Sequence, residues 1–280
     1  MRSSRSTGSR ALALLAVLAL PVGAAAAETR IAFSSLDTSK PYKVSGTLYL
    51  PENTSSPCPA IILIHGTGGI DSRGALYRGP LLNAGIAVFE VDFKTGNYTS
   101  TMDRPPNDAF VPAAFAALRE LRKLPAIDRD RIAVMGFSMG GGITLRTALE
   151  DNRKTWMGNE KGFAAHVAFY PVCKPFIPKV EHSSGVTGAP MIIFYGTEDS
   201  YGEGKAVPEL KLLLQKKFKF DVTTVEYPGA THGFNRNAAP LSYRDPAAIG
   251  GQGYMKWDPD ATNDSLAKVL AFLRQNLAAR

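Results

Sequence analysis

From residue 42 onward, short apolar runs alternate with longer stretches in which apolar positions recur every three or four residues. YKVSGTLYL (42–50) alternates apolar and polar positions and predicts an antiparallel opening strand that stops at Pro51. AIILIHG (60–66), IAVFEVD (86–92), RIAVMG (131–136), AAHVAFYP (164–171), PMIIFYG (190–196) and FDVTTVEYPG (220–229) predict further strands. The first two are uninterrupted, as in strands buried on both faces. Between them, helical spacing runs through ALYRGPLLNAG (75–85), NDAFVPAAFAALRELRKL (107–124), GGITLRTALED (141–151) and AVPELKLLLQKKF (206–218). Asn107 or Asp108 is placed to cap the second of these. NDSLAKVLAFLRQNL (263–277) predicts a closing amphipathic helix.

Strand and helix in regular alternation predict the α/β class, with a mostly parallel sheet, helices on both faces and right-handed crossovers. No repeat or low-complexity linker divides the pattern, so one domain is expected over residues 28–280.

The first 27 residues stand apart. MRSSRSTGSR is basic and free of acids, and ALALLAVLALPVG is apolar but falls short of the ~20 residues a bilayer crossing needs. Small residues follow at Ala25 and Ala27. This is the layout of a secretory signal peptide. It predicts an exported protein, periplasmic or secreted, with no stable membrane insertion after cleavage.

Charge changes the picture little. The formal net charge of +7 falls to +4 when the leader, with Arg2, Arg5 and Arg10, is set aside. Basic residues are scattered except at KKFKF (216–220), so no nucleic-acid partner is expected. The two cysteines, Cys58 before one strand and Cys173 after another, belong to opposite edges of a parallel sheet. A strand of ~17–20 Å exceeds the ~7 Å span of a disulfide, so no bond between them is expected. No histidine, cysteine and carboxylate cluster has ligand spacing, and neither metal nor organic cofactor is expected.

In such sheets the working groups gather at the carboxyl ends of the strands. Those positions hold His65–Gly69, Asp92, Ser138, Tyr170–Cys173, Glu198, Asp199 and His232. Gly136-Phe137-Ser138-Met139-Gly140 follows a strand and opens a helix, the setting of a nucleophile elbow. A helix-capping serine would not need the extra glycines Gly141 and Gly142.

A serine hydroxyl needs a base beside it. His166 lies in an apolar strand and reads as core, His182 sits in a polar loop, and His65 belongs to a glycine motif. His232, in YPGATHGF, comes late, after a strand, in a glycine-flanked loop, and is the candidate base. Glu198 and Asp199, after PMIIFYG, are both able to orient it. Two backbone amides, Met139 after the elbow and Thr67 in HGTGG, are candidate oxyanion donors.

Taken in order, ILIHGTGG, IDRDRIAVMGFSMGG, YGTEDSYG, YPGATHGF and the helix after DPDAT resemble the α/β-hydrolase fold. They are similar, more closely, to the dienelactone hydrolase-related family, from about residue 42 to the C-terminus. The resemblance implies the triad Ser138, Asp199 and His232, preferring Asp199 over Glu198, whose longer side chain is also more mobile. Dienelactone hydrolases proper carry cysteine at the elbow. Ser138 therefore implies a serine esterase-like hydrolase rather than one that turns over the dienelactone itself. GFSMGGG also resembles the elbow of cutinase-like polyester hydrolases.

Only about twenty residues separate AFYP from PMIIFYG, too few for a large cap domain. Segment 233–260, with Tyr243, Tyr254 and Trp257 as candidate lining residues, is the other candidate wall. Cys173 reads first as a buried structural thiol and, as an alternative, as a lining residue. The expectation is a serine hydrolase that cleaves small carboxylic esters of short to medium acyl chain through an acyl-enzyme on Ser138. A dienelactone, lactone or polyester hydrolase, a peptidase, and a catalytically silent binding protein on the same fold are its rivals. Peptidase relatives usually carry a further domain, and a silent fold would have a broken triad. Nothing in the sequence fixes an oligomeric state.

Overall fold

The structure is a computed structural model that describes residues 28–52, 57–94, 97–98 and 104–279. The predicted leader lies outside the described residues. Eight strands, β1 (Glu28–Ser34), β2 (Lys43–Tyr49), β3 (Cys58–Ile64), β4 (Ala87–Asp92), β5 (Ile127–Phe137), β6 (His166–Phe169), β7 (Met191–Gly196) and β8 (Thr223–Tyr227), form one sheet. Its order is β1-β2-β4-β3-β5-β6-β7-β8. The first two pairings are antiparallel and the rest parallel.

The helices are α1 (Ser72–Asn83), α2 (Val111–Arg122), α3 (Met139–Thr147), α4 (Glu150–Met157), α5 (Ile177–His182), α6 (Glu203–Phe218) and α7 (Pro259–Asn276). Burial on both faces explains the unbroken apolar runs. Ile62 and Ile64 of β3 join Phe89 of β4 and Phe115 of α2 on one side. Ile61 and Leu63 join Tyr77 of α1 and Val269 of α7 on the other. A third cluster packs Val207, Leu210 and Leu214 of α6 against Ile193 and Tyr195 of β7. No helix among the described residues is long and apolar enough to cross a membrane.

Several local expectations are corrected. β1 precedes the predicted opening strand and pairs antiparallel with it. As an edge strand it half-buries only Ile31 and Phe33, too short an alternation to announce a strand. Asn107 and Asp108 do not cap α2, because the chain enters it through a 3-10 turn whose cap is Pro106. Both side chains instead serve arginines: Asn107 Oδ1 accepts from Arg104, and Asp108 pairs with Arg146 and Lys179. The helix predicted over 141–151 is two helices, broken where Leu149 turns extended and bridges to Val186. Segment 233–260 contains a two-stranded hairpin, β9 (Leu241–Arg244) and β10 (Gln252–Met255). His166 is fully buried, and burial pushes it down to about 3, so it stays neutral. Cys58 and Cys173 are both free and buried.

Candidate active site

The central sheet strand β5 ends at Phe137, and α3 begins at Met139. Ser138 between them has φ 54° and ψ −112°, a conformation strained for a residue with a Cβ. Its backbone is held on both sides. Ser138 N–H donates to Phe169 O at 3.0 Å, and Gly142 N–H donates to Ser138 O at 2.9 Å. The flanking glycines are required by contact. A Cβ on Gly136 would lie 2.1 Å from Gly140 O, and one on Gly140 would lie 2.2 Å from Ile64 O.

The elbow aims the Ser138 hydroxyl at His232, with Oγ 2.8 Å from Nε2. The opposite nitrogen, Nδ1, lies 2.8 Å from Asp199 Oδ2. An ionised carboxylate only accepts, so Nδ1 carries the proton and Nε2 is free to take the one on Ser138. Asp199 is fixed in turn, its Oδ1 accepting from Tyr201 N–H at 2.8 Å. The imidazole is fully buried between two tyrosines, with the Tyr170 ring centroid at 4.8 Å and that of Tyr201 at 4.5 Å. Glu198 is exposed and takes no part in this line.

The loop after β3 supplies the other wall. Gly69 N–H closes a tight turn on Gly66 O at 3.0 Å. His65 grips the same carbonyl, with Nδ1 2.6 Å from Gly66 O, while its Nε2 accepts from Phe93 N–H at 2.9 Å. Accepting at Nε2 fixes the tautomer that donates at Nδ1. Gly66 C=O shares its planar trans peptide with Thr67 N–H, which therefore points away from His65. Thr67, Ser138 and Met139 line one cavity of about 370 Å³. Tyr201, Val172 and Pro175 form further walls, and Asp245, Pro246 and Ala247 enter from the loop that joins β9 to β10. Arg104, Asn107, Asp108, Arg146 and Lys179 add a polar side.

Beneath the site, Arg73 is buried against Asp71, with Nε 2.8 Å from Oδ1 and Nη2 2.6 Å from Oδ2. Burial would raise the Asp71 carboxyl, but the hydrogen bonds from Arg73 hold it below the usual value. Arg73 Nη1 also donates to Tyr170 Oη at 3.2 Å. The chain continues from the Tyr170 hydroxyl to Asn235 Oδ1, and from Asn235 Nδ2 to Tyr77 Oη at 3.0 Å. The ring that packs on His232 is thus anchored both to α1 and to the loop after β8.

Of the sequence candidates, the structure brings together Ser138, Asp199, His232, Met139 and Thr67. It brings neither Cys173 nor Trp257 to the cavity lining. Cys173 is fully buried behind Val172, and its N–H is held by both carboxyl oxygens of Glu203, at 2.9 and 3.1 Å. Burial pushes its thiol well up, so it stays protonated. Trp257 is 39% exposed just beyond β10. Sequence reasoning missed Tyr201, Arg73 and Glu203, which act only through contacts made by folding. Burial, with the nearby Asp199 charge, pushes the Glu203 carboxyl up to about 8. No group of three or more histidine, cysteine or acidic residues among the described residues is placed to hold a metal ion.

Residues 44–277 match the model of the dienelactone hydrolase family. The chain belongs to the dienelactone hydrolase family. Among curated relatives, this family member is 27% identical over 115 residues to the esterase FrsA of Photorhabdus laumondii. That match covers 40% of this chain and 26% of the relative, so it spans about a quarter of the relative's length. Among solved structures, esterase 2 of Thermogutta terrifontis with propionate bound aligns at a TM-score of 0.62 and 16% identity, over 92% of this chain and 96% of that one. The dienelactone hydrolase-like promiscuous phosphotriesterase P91, from metagenomic libraries, aligns at 0.60 and 19% identity, over 89% and 99%. At these identities the structures establish the shared fold of the family.

Proposed function

We propose that this dienelactone hydrolase family member is a serine hydrolase of carboxylic esters, acting through an acyl-enzyme on Ser138. The observation that carries the reading is the unbroken line from Ser138 Oγ through His232 to Asp199, both links at 2.8 Å. In the proposed reaction Ser138 Oγ attacks the ester carbonyl carbon while its proton passes to His232 Nε2. The carbonyl π pair moves onto oxygen, which the N–H groups of Met139 and Thr67 receive. On collapse the carbon–oxygen bond to the alcohol breaks, and the alcohol departs with the proton from His232. Water then gives His232 a proton as it adds to the acyl carbon, and the acid leaves as the bond to Ser138 Oγ breaks and His232 Nε2 returns that proton to Oγ. Asp199 holds the imidazole in the required tautomer and stabilises its charged form.

A cavity of about 370 Å³ suits a short or medium acyl group. The polar side formed by Arg104, Asn107 and Asp108 disfavours a long alkyl chain. The propionate named with the Thermogutta esterase supports the same size class. The basic, then apolar, then small-residue leader supports export to the periplasm or beyond. N-terminal sequencing of the mature protein would begin at residue 28.

The test is hydrolysis of p-nitrophenyl acetate, butyrate and palmitate by the wild type and by Ser138→Ala. Turnover of acetate and butyrate is expected to exceed that of palmitate, and Ser138→Ala should lose at least a thousandfold in kcat. Equal rates for the two proteins would remove Ser138 from the mechanism.

A further inference from the structure

We propose that Tyr98 is a positioning residue for the oxyanion hole, tying together the two segments that carry its amides. The inference rests on the reading of Ser138 as nucleophile given above. Tyr98 lies after β4 and is almost fully buried. Its hydroxyl donates to Thr67 O at 3.1 Å and touches Met139 Sδ at 3.7 Å. Thr67 and Met139 are the residues whose N–H groups face the developing oxyanion, one from the loop after β3 and the other from the start of α3. Their separation along the chain means that no local hydrogen bond sets the gap between them. The Tyr98 side chain spans it.

The hydroxyl has one proton, and a carbonyl oxygen is a better acceptor than a thioether, so the hydrogen bond goes to Thr67 and the sulfur contact is packing. The ring itself is fixed from behind by an edge contact with Phe110, with centroids 5.9 Å apart. Together with His65, Tyr98 holds two consecutive peptides of the turn. His65 holds the carbonyl that shares a peptide with Thr67 N–H, and Tyr98 holds the carbonyl of Thr67 itself. With both carbonyls engaged, rotation of the Gly66–Thr67 peptide, which would swing the N–H out of the site, is opposed from each end.

This role differs from that of a cavity wall. Oxyanion donors act on charge that develops in the transition state, so their loss lowers kcat rather than substrate affinity. A wall residue would chiefly raise KM. Tyr98→Phe separates the two, because phenylalanine keeps the ring packed on Phe110 and removes only the hydroxyl.

The experiment compares the wild type, Tyr98→Phe and Ser138→Ala with p-nitrophenyl butyrate. It also measures inhibition by phenylboronic acid, which forms a tetrahedral anionic adduct on a nucleophilic serine. For Tyr98→Phe the expected result is a kcat about tenfold lower, KM within twofold of wild type, and boronate affinity weakened by about the same tenfold. Thermal unfolding should stay within a few degrees. Unchanged kcat and boronate affinity would overturn the role of Tyr98, as would a raised KM at constant kcat. Ser138→Ala keeps that failure distinct: if it is inactive, the nucleophile stands and only the clamp falls. If Ser138→Ala retains full activity, the underlying reading falls and the clamp with it.

Discussion

Replacing Gly140 by alanine perturbs the elbow without touching any reacting atom. The added Cβ would sit 2.2 Å from Ile64 O and 2.7 Å from His65 O, against an ordinary contact of 3.4 Å or more. Those atoms are backbone at the end of β3, packed between its sheet neighbours β4 and β5, and cannot rotate aside. The start of α3 must therefore move by more than an ångström away from β3. Met139 N–H precedes Gly140 directly and moves with it, away from the oxyanion position and from Thr67 N–H. A misplacement of about 1 Å costs on the order of a hundredfold in rate. Overpacking of this kind costs about 1–3 kcal/mol in stability. For a domain of this size that is roughly 2–12 °C in Tm.

The assay is kcat and KM for p-nitrophenyl butyrate beside thermal unfolding, with Gly79→Ala as the control. A Cβ on Gly79 meets nothing within 4 Å beyond its own chain neighbours, and Gly79 lies within α1 away from the cavity, so this change should leave kcat alone. A Gly140→Ala enzyme with wild-type kcat and unfolding temperature would refute the argument that close approach of α3 to β3 sets the donor geometry.

Two further predictions concern the buried charges. Arg73→Leu should cost about 3 kcal/mol in urea unfolding, because it leaves Asp71 and the Tyr170 hydroxyl without their partner; a loss below about 1 kcal/mol would show that the network adapts. Glu203 has a folded-state value raised from 4.5 to about 8, so the native state holds a proton that the unfolded chain gives up. Stability must then fall as pH rises from about 4.5 to about 8, and level off above. Glu203→Gln should remove that decline, so that its Tm advantage over wild type grows between pH 5 and pH 9. A constant difference across that range would contradict the assignment.

The hydrogen-bonded line of Ser138, His232 and Asp199 was legible in the sequence because each member ends a recognisable strand. Ser138 follows β5, Asp199 follows β7 and His232 follows β8, and parallel topology brings those ends to one edge. The place of Thr67 beside Ser138 was legible for the same reason, through the glycines after β3. What could not be read are residues whose role exists only across the fold. Tyr98 lies outside every strand and helix, and nothing in its neighbours announces a hydroxyl that reaches Thr67. Arg73 opens α1 as an ordinary basic residue, yet it is buried beneath Tyr170. Asn107 and Asp108 had the chemistry of helix caps, but Arg104 just before them and Arg146 from α3 claimed them first. The hairpin β9–β10 was missed because its strands are only four residues long and largely exposed. Cys173 is the buried thiol that its place after an apolar strand suggests, and Val172, with φ 51°, lines the cavity in its stead.

The most direct test of the central claim is covalent. Diisopropyl fluorophosphate should add one diisopropylphosphoryl group per chain, located by peptide mass spectrometry on Ser138, with activity lost in proportion to labelling. Ser138→Ala should remain unlabelled. Stoichiometric label on Ser138 with full activity retained, or inactivation with the label on another residue, would contradict the account.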